Sequence, residues 1–188
     1  MLELRTDRLL LREYTPDDAQ AVFAFAADPE VARFRIAEIP SIGQVQELVQ
    51  HKTQKAQQQP RMDYELAVVN RNTQMVIGEA ELFVENFHHA PNFDGSQARI
   101  GYALARPFWG QGFASEIVRE LLRFGFDELR LHRIYAPCVP ENTGSVRVLT
   151  KAGLRQEGHF KSSLWMKGQW RDVLLFAVLA HEWRASVS

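Results

Sequence analysis

The turn around Gly110 and Gly112 constrains the fold of this chain more than any other feature. An apolar strand ends at Leu104, two glycines two residues apart allow a tight turn, and a helix begins at once. The apolar positions of that helix form one stripe: Ile117, Val118, Leu121, Leu122 and Phe126. Free amides at the start of such a helix bind phosphate oxygens, so the turn is either a phosphate site or a purely structural corner.

Two familiar phosphate-binding turns do not fit this sequence. A nucleotide P-loop has Lys followed by Ser or Thr after its last glycine, whereas Phe113 and Ala114 follow Gly112. A dinucleotide fingerprint has a third glycine and lies early in the chain, and neither is true here. Both nucleotide motifs are therefore excluded.

The elements around the turn predict one mixed α/β domain over residues 1–188. Strands are expected at 8–12, 64–69, 76–85, 97–104 and 133–139, and in a hairpin with arms at 156–166 and 171–180. Helices are expected at 17–26, 41–57 and 143–151, besides the one that follows the glycines.

Composition excludes several classes of protein. Of 188 residues, 46% are apolar and 24% charged, no apolar run is long enough to span a membrane, and the first residues lack the pattern of a secretory signal. One cysteine, Cys138, rules out an internal disulfide framework and a cysteine-based zinc cage. The net charge of −1 gives no global case for nucleic acid. We therefore expect a cytoplasmic protein with no metal and no direct contact with nucleic acid or membrane.

Charge is divided unevenly between the two halves of the chain. Residues 1–94 carry 9 basic and 15 acidic residues, a balance of −6, whereas residues 95–188 carry 13 and 8, a balance of +5. Two ligands of opposite sign explain this division, and chance unevenness explains it equally well.

Three carboxylates share one face of the predicted strand 76–85, because alternate residues of a strand point the same way: Glu79, Glu81 and Glu85. Such a face is costly when dry, so it is expected to line a wet groove that a cationic ligand can enter, or to pair with Arg99 across the strands. His88 and His89, in the polar loop that follows, are interpreted as ordinary surface residues.

The segment after strand 133–139 carries Asn142 and Ser145, residue types that cap helices and also bind ligands. Cys138 is interpreted as a buried structural thiol, with a covalent nucleophile as the alternative. Trp165 and Trp170 are interpreted as core or rim aromatics, with a dimer contact as the alternative.

Taken together, these residues resemble the GNAT superfamily of N-acetyltransferases. Gly112 and Ala114 match its acyl-CoA-binding motif [Q/R]-x-x-G-x-[G/A], and Trp109 stands at the Gln/Arg position. An aromatic residue there is typical of the branch that acetylates the N-terminal amine of ribosomal proteins. Further similar segments cover nearly the whole chain: 6–12, 77–78, 100–102, 132–134, 142, 145, 153–154, 157–158 and 168–172.

The resemblance implies a GNAT fold, with a single mixed, mostly antiparallel central sheet that is splayed at the acyl-CoA site and flanked by helices. It implies acetyl-CoA as co-substrate, whose pantetheine arm pairs with open backbone near Tyr102 and Leu104 and contacts Asn142. The pyrophosphate is expected on the turn, where the implied binding residues are Trp109, Gly110, Gln111, Gly112, Phe113 and Ala114. Arg106 and Arg119 are further candidates for phosphate.

The resemblance also implies a chemistry. Ser145 is expected to protonate the departing CoA thiolate, because Val148 stands where most other branches place a Tyr. Some members of the branch have a Glu base where this chain has Leu164, so Glu81 is the first choice for the base.

The expected activity is transfer of acetyl to a primary amine by direct attack in a ternary complex. The acceptor implied first is a protein N-terminal amine of the ribosomal-protein-alanine type, and the alternative is a polyamine, amino acid or aminoglycoside-type amine. A non-catalytic acyl-CoA sensor is a third possibility, and the protein is expected to be a monomer or a homodimer.

Overall fold

The computed structural model describes residues 1–35, 41–85 and 96–187. Its described strands form one mixed sheet in the order β1-β2-β3-β4-β5-β6-β8-β7. Their bounds are β1 Glu3–Arg5, β2 Leu9–Arg12, β3 Asp63–Asn70, β4 Val76–Glu85, β5 Gln97–Leu104, β6 Arg133–Cys138, β7 Arg155–Met166 and β8 Gln169–Leu179. Every pairing except that of β5 with β6 is antiparallel, so the predicted mixed, mostly antiparallel sheet with flanking helices is confirmed.

The helices flank this sheet. Their bounds are α1 Ala19–Ala26, α2 Pro29–Ala32, α3 Ile42–Lys55, α4 Phe113–Arg123, α5 Thr143–Lys151 and α6 Ala180–Val187. The sequence reading did not include α2, α6 or β1, which are short or terminal. None of the described helices is long and apolar enough to cross a membrane. His88 and His89 lie outside the described residues.

The two faces of the sheet carry different layers. One face packs its apolar side chains, among them Leu66, Leu82 and Ile100, against the stripe of α4. The other face lies under α1 and α3, where Val45 and Val49 pack against small strand residues such as Ala67. Because side chains alternate along a strand, each strand of the centre contributes to both layers.

The sheet opens between β5 and β6. Their parallel pairing covers only Gln97–Arg99 against Arg133–Tyr135, although both strands continue beyond it. Continuation of the parallel ladder requires an N–H at the second residue after Tyr135, and this residue is Pro137, which has none. The ladder therefore ends there and the strands separate.

Gly78 lies opposite Leu104 in the pairing of β4 with β5. A Cβ atom at Gly78 would lie 2.2 Å from the backbone oxygen of Ala103, so the strands must shift to accept one. We expect Gly78→Ala to lower the free energy of unfolding by about 1–3 kcal/mol in urea denaturation.

Gly43→Ala is the matched control for this prediction. Its Cβ would meet nothing closer than the Ser41 hydroxyl oxygen at 3.9 Å, and alanine favours the helix, so stability is expected to stay equal or rise. Equal stability of Gly78→Ala and the parent protein would contradict the close approach.

Candidate active site

The gap between β5 and β6 exposes backbone groups of β5. The N–H of Ala105 donates to the oxygen of Ile77, so the residues that alternate with it, Tyr102 and Leu104, direct their backbone groups to the other side, into the gap. The Leu104 oxygen is already occupied, because the indole N–H of Trp109 donates to it at 2.7 Å. The N–H of Leu104 and both backbone groups of Tyr102 therefore face the gap.

The glycine turn at the end of β5 has the geometry that its sequence predicts. Gly110 and Gly112 have φ of 72° and 84°, the left-handed region that glycine adopts without strain, and α4 begins at the next residue. Within the described part of the chain, the amides of residues 110–115 donate to no carbonyl or side-chain acceptor. The turn therefore presents consecutive free N–H groups at the positive end of α4.

Arg8 holds this turn in place, a role that the sequence reading did not assign. Its guanidinium donates to the Gln111 oxygen at 3.0 Å, pairs with Glu116 at 2.7 Å and lies over the Phe113 ring. It would lie 3.4 Å from a Cβ atom at Gly112. The Arg8–Glu116 ion pair therefore fixes the backbone of the turn beside the free amides.

The two candidate phosphate-binding arginines lie in different environments. Arg119 lies with Gly112 and Lys151 along a groove of about 720 Å³ beside α4, and among the described residues it forms no ion pair. Arg106 instead pairs with Asp28 at 3.1 Å. Of the two candidates, Arg119 is therefore the one placed to contact a phosphate, in a groove that four carboxylates also line: Asp7, Glu116, Glu120 and Asp127.

Asn142 and Ser145 lie at the end of β6, on the opposite side of the gap. The Asn142 side chain accepts the Ser145 N–H at 3.1 Å and thereby caps α5. The Ser145 hydroxyl is not a cap, because it lies 2.8 Å from the Tyr102 hydroxyl, which crosses from β5. Burial raises the pKa of Tyr102, so the pair remains protonated at neutral pH.

Cys138 is buried beside this pair. Its thiol donates to the Val139 oxygen, and burial raises its pKa, so it is held as the unreactive thiol. The structure thus favours the structural interpretation over a covalent acetyl-cysteine.

The acidic face of β4 does not form one wet groove. Glu85 accepts hydrogen bonds from the Tyr135 hydroxyl at 2.7 Å and from the Gln97 amide at 2.9 Å. Glu79 is buried and pairs with Arg35. The expected pairing with Arg99 is wrong, because the register places Arg99 opposite Phe83, over whose ring it lies.

A lysine that the sequence reading missed enters this face from α3. The Lys52 ammonium lies 3.1 Å from Glu65, 3.4 Å from Glu81 and 3.5 Å from Glu79. Its side chain is only 4% exposed, whereas that of Glu81 is 24% exposed. Glu81 is therefore the carboxylate of this buried charge cluster that solvent reaches best.

The charge cluster shifts the pKa values of the two β4 carboxylates, Glu79 and Glu81, in opposite directions. Burial acts to raise the pKa of Glu79, but attraction to Lys52 and Arg35 outweighs it and holds that pKa below its ordinary value. Burial and the negative charge of Glu79 raise the pKa of Glu81. Glu81 is thus the better proton acceptor of the two.

The hydroxyl pair and the acid lie on opposite faces of the opened sheet. Tyr102 packs with the α4 layer, whereas Glu81 lies on the α3 face, across from Gly101. A Cβ atom at Gly101 would lie 3.1 Å from a carboxylate oxygen of Glu81. A proton donor and a proton acceptor therefore flank adjacent positions of β5, one on each face of the sheet.

The hairpin of β7 and β8 has Leu164 at the position where the resemblance allows a Glu base. Leu164 pairs with Arg171 in the register of these strands. Trp165 and Trp170 are 55% and 61% exposed and contact each other edge to face at 5.4 Å, so they are rim rather than core aromatics.

Comparison with known proteins agrees with this geometry. The family model described as an acetyltransferase (GNAT) domain matches residues 8–155. This chain belongs to the GNAT acetyltransferase family. The resemblance seen in its sequence is thereby confirmed, and the chain is an N-acetyltransferase.

Relatives of the chain differ in the acceptors that their names state. The uncharacterised N-acetyltransferase p20 of Bacillus licheniformis is 33% identical over 97% of this chain and 99% of its own length. The ribosomal protein uS5-alanine N-acetyltransferase of Escherichia coli is 30% identical over 53% of this chain and 52% of its own. The spermidine N(1)-acetyltransferase of Vibrio cholerae is 29% identical over 60% of this chain and 61% of its own.

Solved structures share the fold over nearly the whole chain. A GNAT acetyltransferase of Bacillus anthracis superposes with a TM-score of 0.79 at 26% identity, covering 96% of this chain and 99% of that one. The Vibrio cholerae spermidine N-acetyltransferase, solved in complex with CoA and spermine, superposes with a TM-score of 0.78 at 22% identity, covering 95% and 99%.

Proposed function

We propose that this enzyme transfers the acetyl group of acetyl-CoA to a primary amine by direct attack within a ternary complex. The observation that carries the proposal is the opened strand pair with free backbone groups of Tyr102 at the gap and consecutive free amides in the turn beside it. The thin, polar pantetheine arm of acetyl-CoA matches the open strand gap, and its charged pyrophosphate matches the free amides of the turn. That a structural neighbour was solved with CoA supports the same donor.

The residues of the gap divide the work of the reaction. The amides from Gly110 to Ala114 hold the pyrophosphate, with Trp109 as the wall of the turn, and Asn142 and the open backbone of β5 hold the pantetheine arm. The amine nitrogen attacks the thioester carbonyl, and the carbon–sulfur bond breaks as the carbonyl re-forms. The Ser145 hydroxyl, 2.8 Å from Tyr102, gives its proton to the departing sulfur and regains one from solvent, and Glu81 takes the proton of the amine.

The acceptor proposed first is a protein N-terminal amine, as in the ribosomal-protein-alanine acetyltransferases. The similarity to the uS5-alanine enzyme supports it, and an α-amine, with a pKa of about 8, needs only one base to react near neutral pH. A polyamine is the second candidate, supported by the spermidine acetyltransferase and by the acidic residues on the α3 face. The site of action proposed is the cytoplasm, where a free buried thiol such as Cys138 persists.

An acceptor screen tests the activity itself. Release of CoA thiol from acetyl-CoA is followed with an Ala-initiated peptide, spermidine, free amino acids and an aminoglycoside as separate acceptors. We expect the peptide to give the highest kcat/KM. Thiol release that no amine accelerates, with acetyl-CoA still bound, would instead identify the acyl-CoA sensor.

The turn is tested by binding. A valine side chain at Gly112 meets the Arg8 guanidinium and disfavours the φ of 84° that aims the amides, so Gly112→Val is expected to weaken acetyl-CoA binding by about tenfold or more in titration calorimetry. Gly168→Val is the matched control, because Gly168 has φ of 74° in the turn between β7 and β8, with open space around it. Equal affinities of the two variants would remove the turn from the site.

The proton donor is tested by rate. Ser145→Ala is expected to lower kcat by about 10²-fold with acetyl-CoA affinity nearly intact, because the thiolate then leaves without a proton. The cap on α5 survives, since Asn142 accepts from the backbone N–H. Thr150→Ala removes a hydroxyl from the same helix, bonded only to the Val146 oxygen, and is expected to leave kcat unchanged. A Ser145→Ala rate within twofold of the parent would leave Ser145 without a chemical role.

A further inference from the structure

The charge cluster beneath α3 contains a lysine to which the reaction above gives no role. Three carboxylates surround the Lys52 ammonium within 3.5 Å, and Glu65 and Glu81 lie directly opposite each other on β3 and β4. Two carboxylates directly opposite each other on neighbouring strands repel, and the Lys52 ammonium between Glu65 and Glu81 offsets this repulsion. Burial acts to lower the pKa of Lys52, but its acidic neighbours raise it above its ordinary value, and it stays protonated.

The described charges of this cluster do not sum to zero. Glu65, Glu79 and Glu81 face two cations, Lys52 and Arg35. Burial raises the pKa of the neighbouring Tyr14 hydroxyl and keeps it uncharged. On β5, Gly101 faces Glu81, and Arg99, two residues along the same face, lies over the Phe83 ring instead of pairing with the cluster. With all three carboxylates ionised the cluster carries one excess negative charge, which is costly where it is buried. One bound proton neutralises it.

Geometry selects the carboxylate that takes this proton. Glu79 is held ionised by both cations, and Glu65 has the shortest contact with Lys52. Glu81 shares Lys52 at 3.4 Å, is the most exposed of the three, and lies against Gly101 beside the gap. A proton that leaves an amine at the gap reaches Glu81 first.

We propose that Lys52 and Glu79 are positioning residues that act through Glu81 and set the pH range in which it accepts the proton of the acceptor amine. This inference rests on the proposed function, in which Glu81 is the base. In the step, an N–H bond of the amine breaks and an O–H bond forms on Glu81, so the cluster passes from one negative charge to neutral and no further reactant is needed. Solvent then removes the proton from Glu81.

The two positioning residues have opposite charges, so their removal has opposite effects. Lys52→Met removes a cation, Glu81 then keeps its proton to higher pH, and the acid limb of the kcat/KM profile moves up by about one pH unit or more. Glu79→Gln removes an anion, Glu81 then loses its proton at lower pH, and the limb moves down by about one unit. The titration of the acceptor is the same in every variant, so it cancels from the comparison.

One control variant and the opposite directions of the two shifts separate this effect from damage to the fold. Lys52→Arg keeps the cation and is expected to return the limb to its parent position. A structural defect lowers kcat/KM by one factor at every pH and does not move the limb in opposite directions. Should Lys52→Met fail to fold, Glu79→Gln alone still decides the direction, because glutamine keeps the shape and an acceptor for Arg35.

Direct titration of Glu81 gives the answer without any substrate. The ¹³C signal of its carboxyl, assigned by its absence in Glu81→Gln, is expected to titrate higher in Lys52→Met and lower in Glu79→Gln. Signals that titrate together in all three proteins, or move in one direction, would overturn the proposal. If Glu81→Gln instead keeps the acid limb of the parent, the base assignment fails, whatever the titration shows for Lys52 and Glu79.

Discussion

The site depends on one missing hydrogen bond. Because Pro137 cannot donate to β5, the only parallel pairing of the described sheet stops after three residues and two adjacent strands diverge. Each strand is then followed by a helix, β5 by α4 and β6 by α5, so two positive helix ends lie at the mouth of one gap. The opening, its free backbone groups and its electrostatic character all follow from this interruption.

The sheet keeps groups of opposite function apart. The hydroxyls of Tyr102 and Ser145 lie in the layer of α4 and α5, whereas the charge cluster lies under α3. A proton donor and Glu81 on the same face would hydrogen-bond to each other and lose their separate roles. Since alternate residues of a strand point to opposite faces, Tyr102 and its neighbour Gly101 meet the two sides one residue apart.

Local signals in the sequence predicted the parts of the site that local structure makes. The glycine turn, the stripe of α4 and the shared face of Glu79 and Glu81 each follow from spacing alone. The remaining contacts depend on strand register and on how helices pack, which spacing along the chain does not give. Arg99 lies over Phe83 instead of pairing with a carboxylate, and Tyr102 contacts Ser145, 43 residues further along the chain.

Lys52 was the one missed residue with a readable signal. It follows Val45 and Val49 at the spacing of a buried helix stripe, and it lies in that stripe in the fold. A lysine at an apolar position needs a carboxylate partner, and the acidic face of β4 was the available one. Combining the two patterns would have predicted the contact, although not its distances.

The composition of the charge cluster argues for a role in chemistry rather than in stability. A buried ion pair is often no more stabilising than apolar residues of the same volume, because the charges lose their hydration. Here Glu65 also opposes Glu81 across the strands, and one negative charge remains unmatched. An apolar layer like that of Val45 and Val49 would hold α3 on the sheet at least as well. What such a layer cannot do is bind and release a proton next to the gap, and only the excess carboxylate provides that.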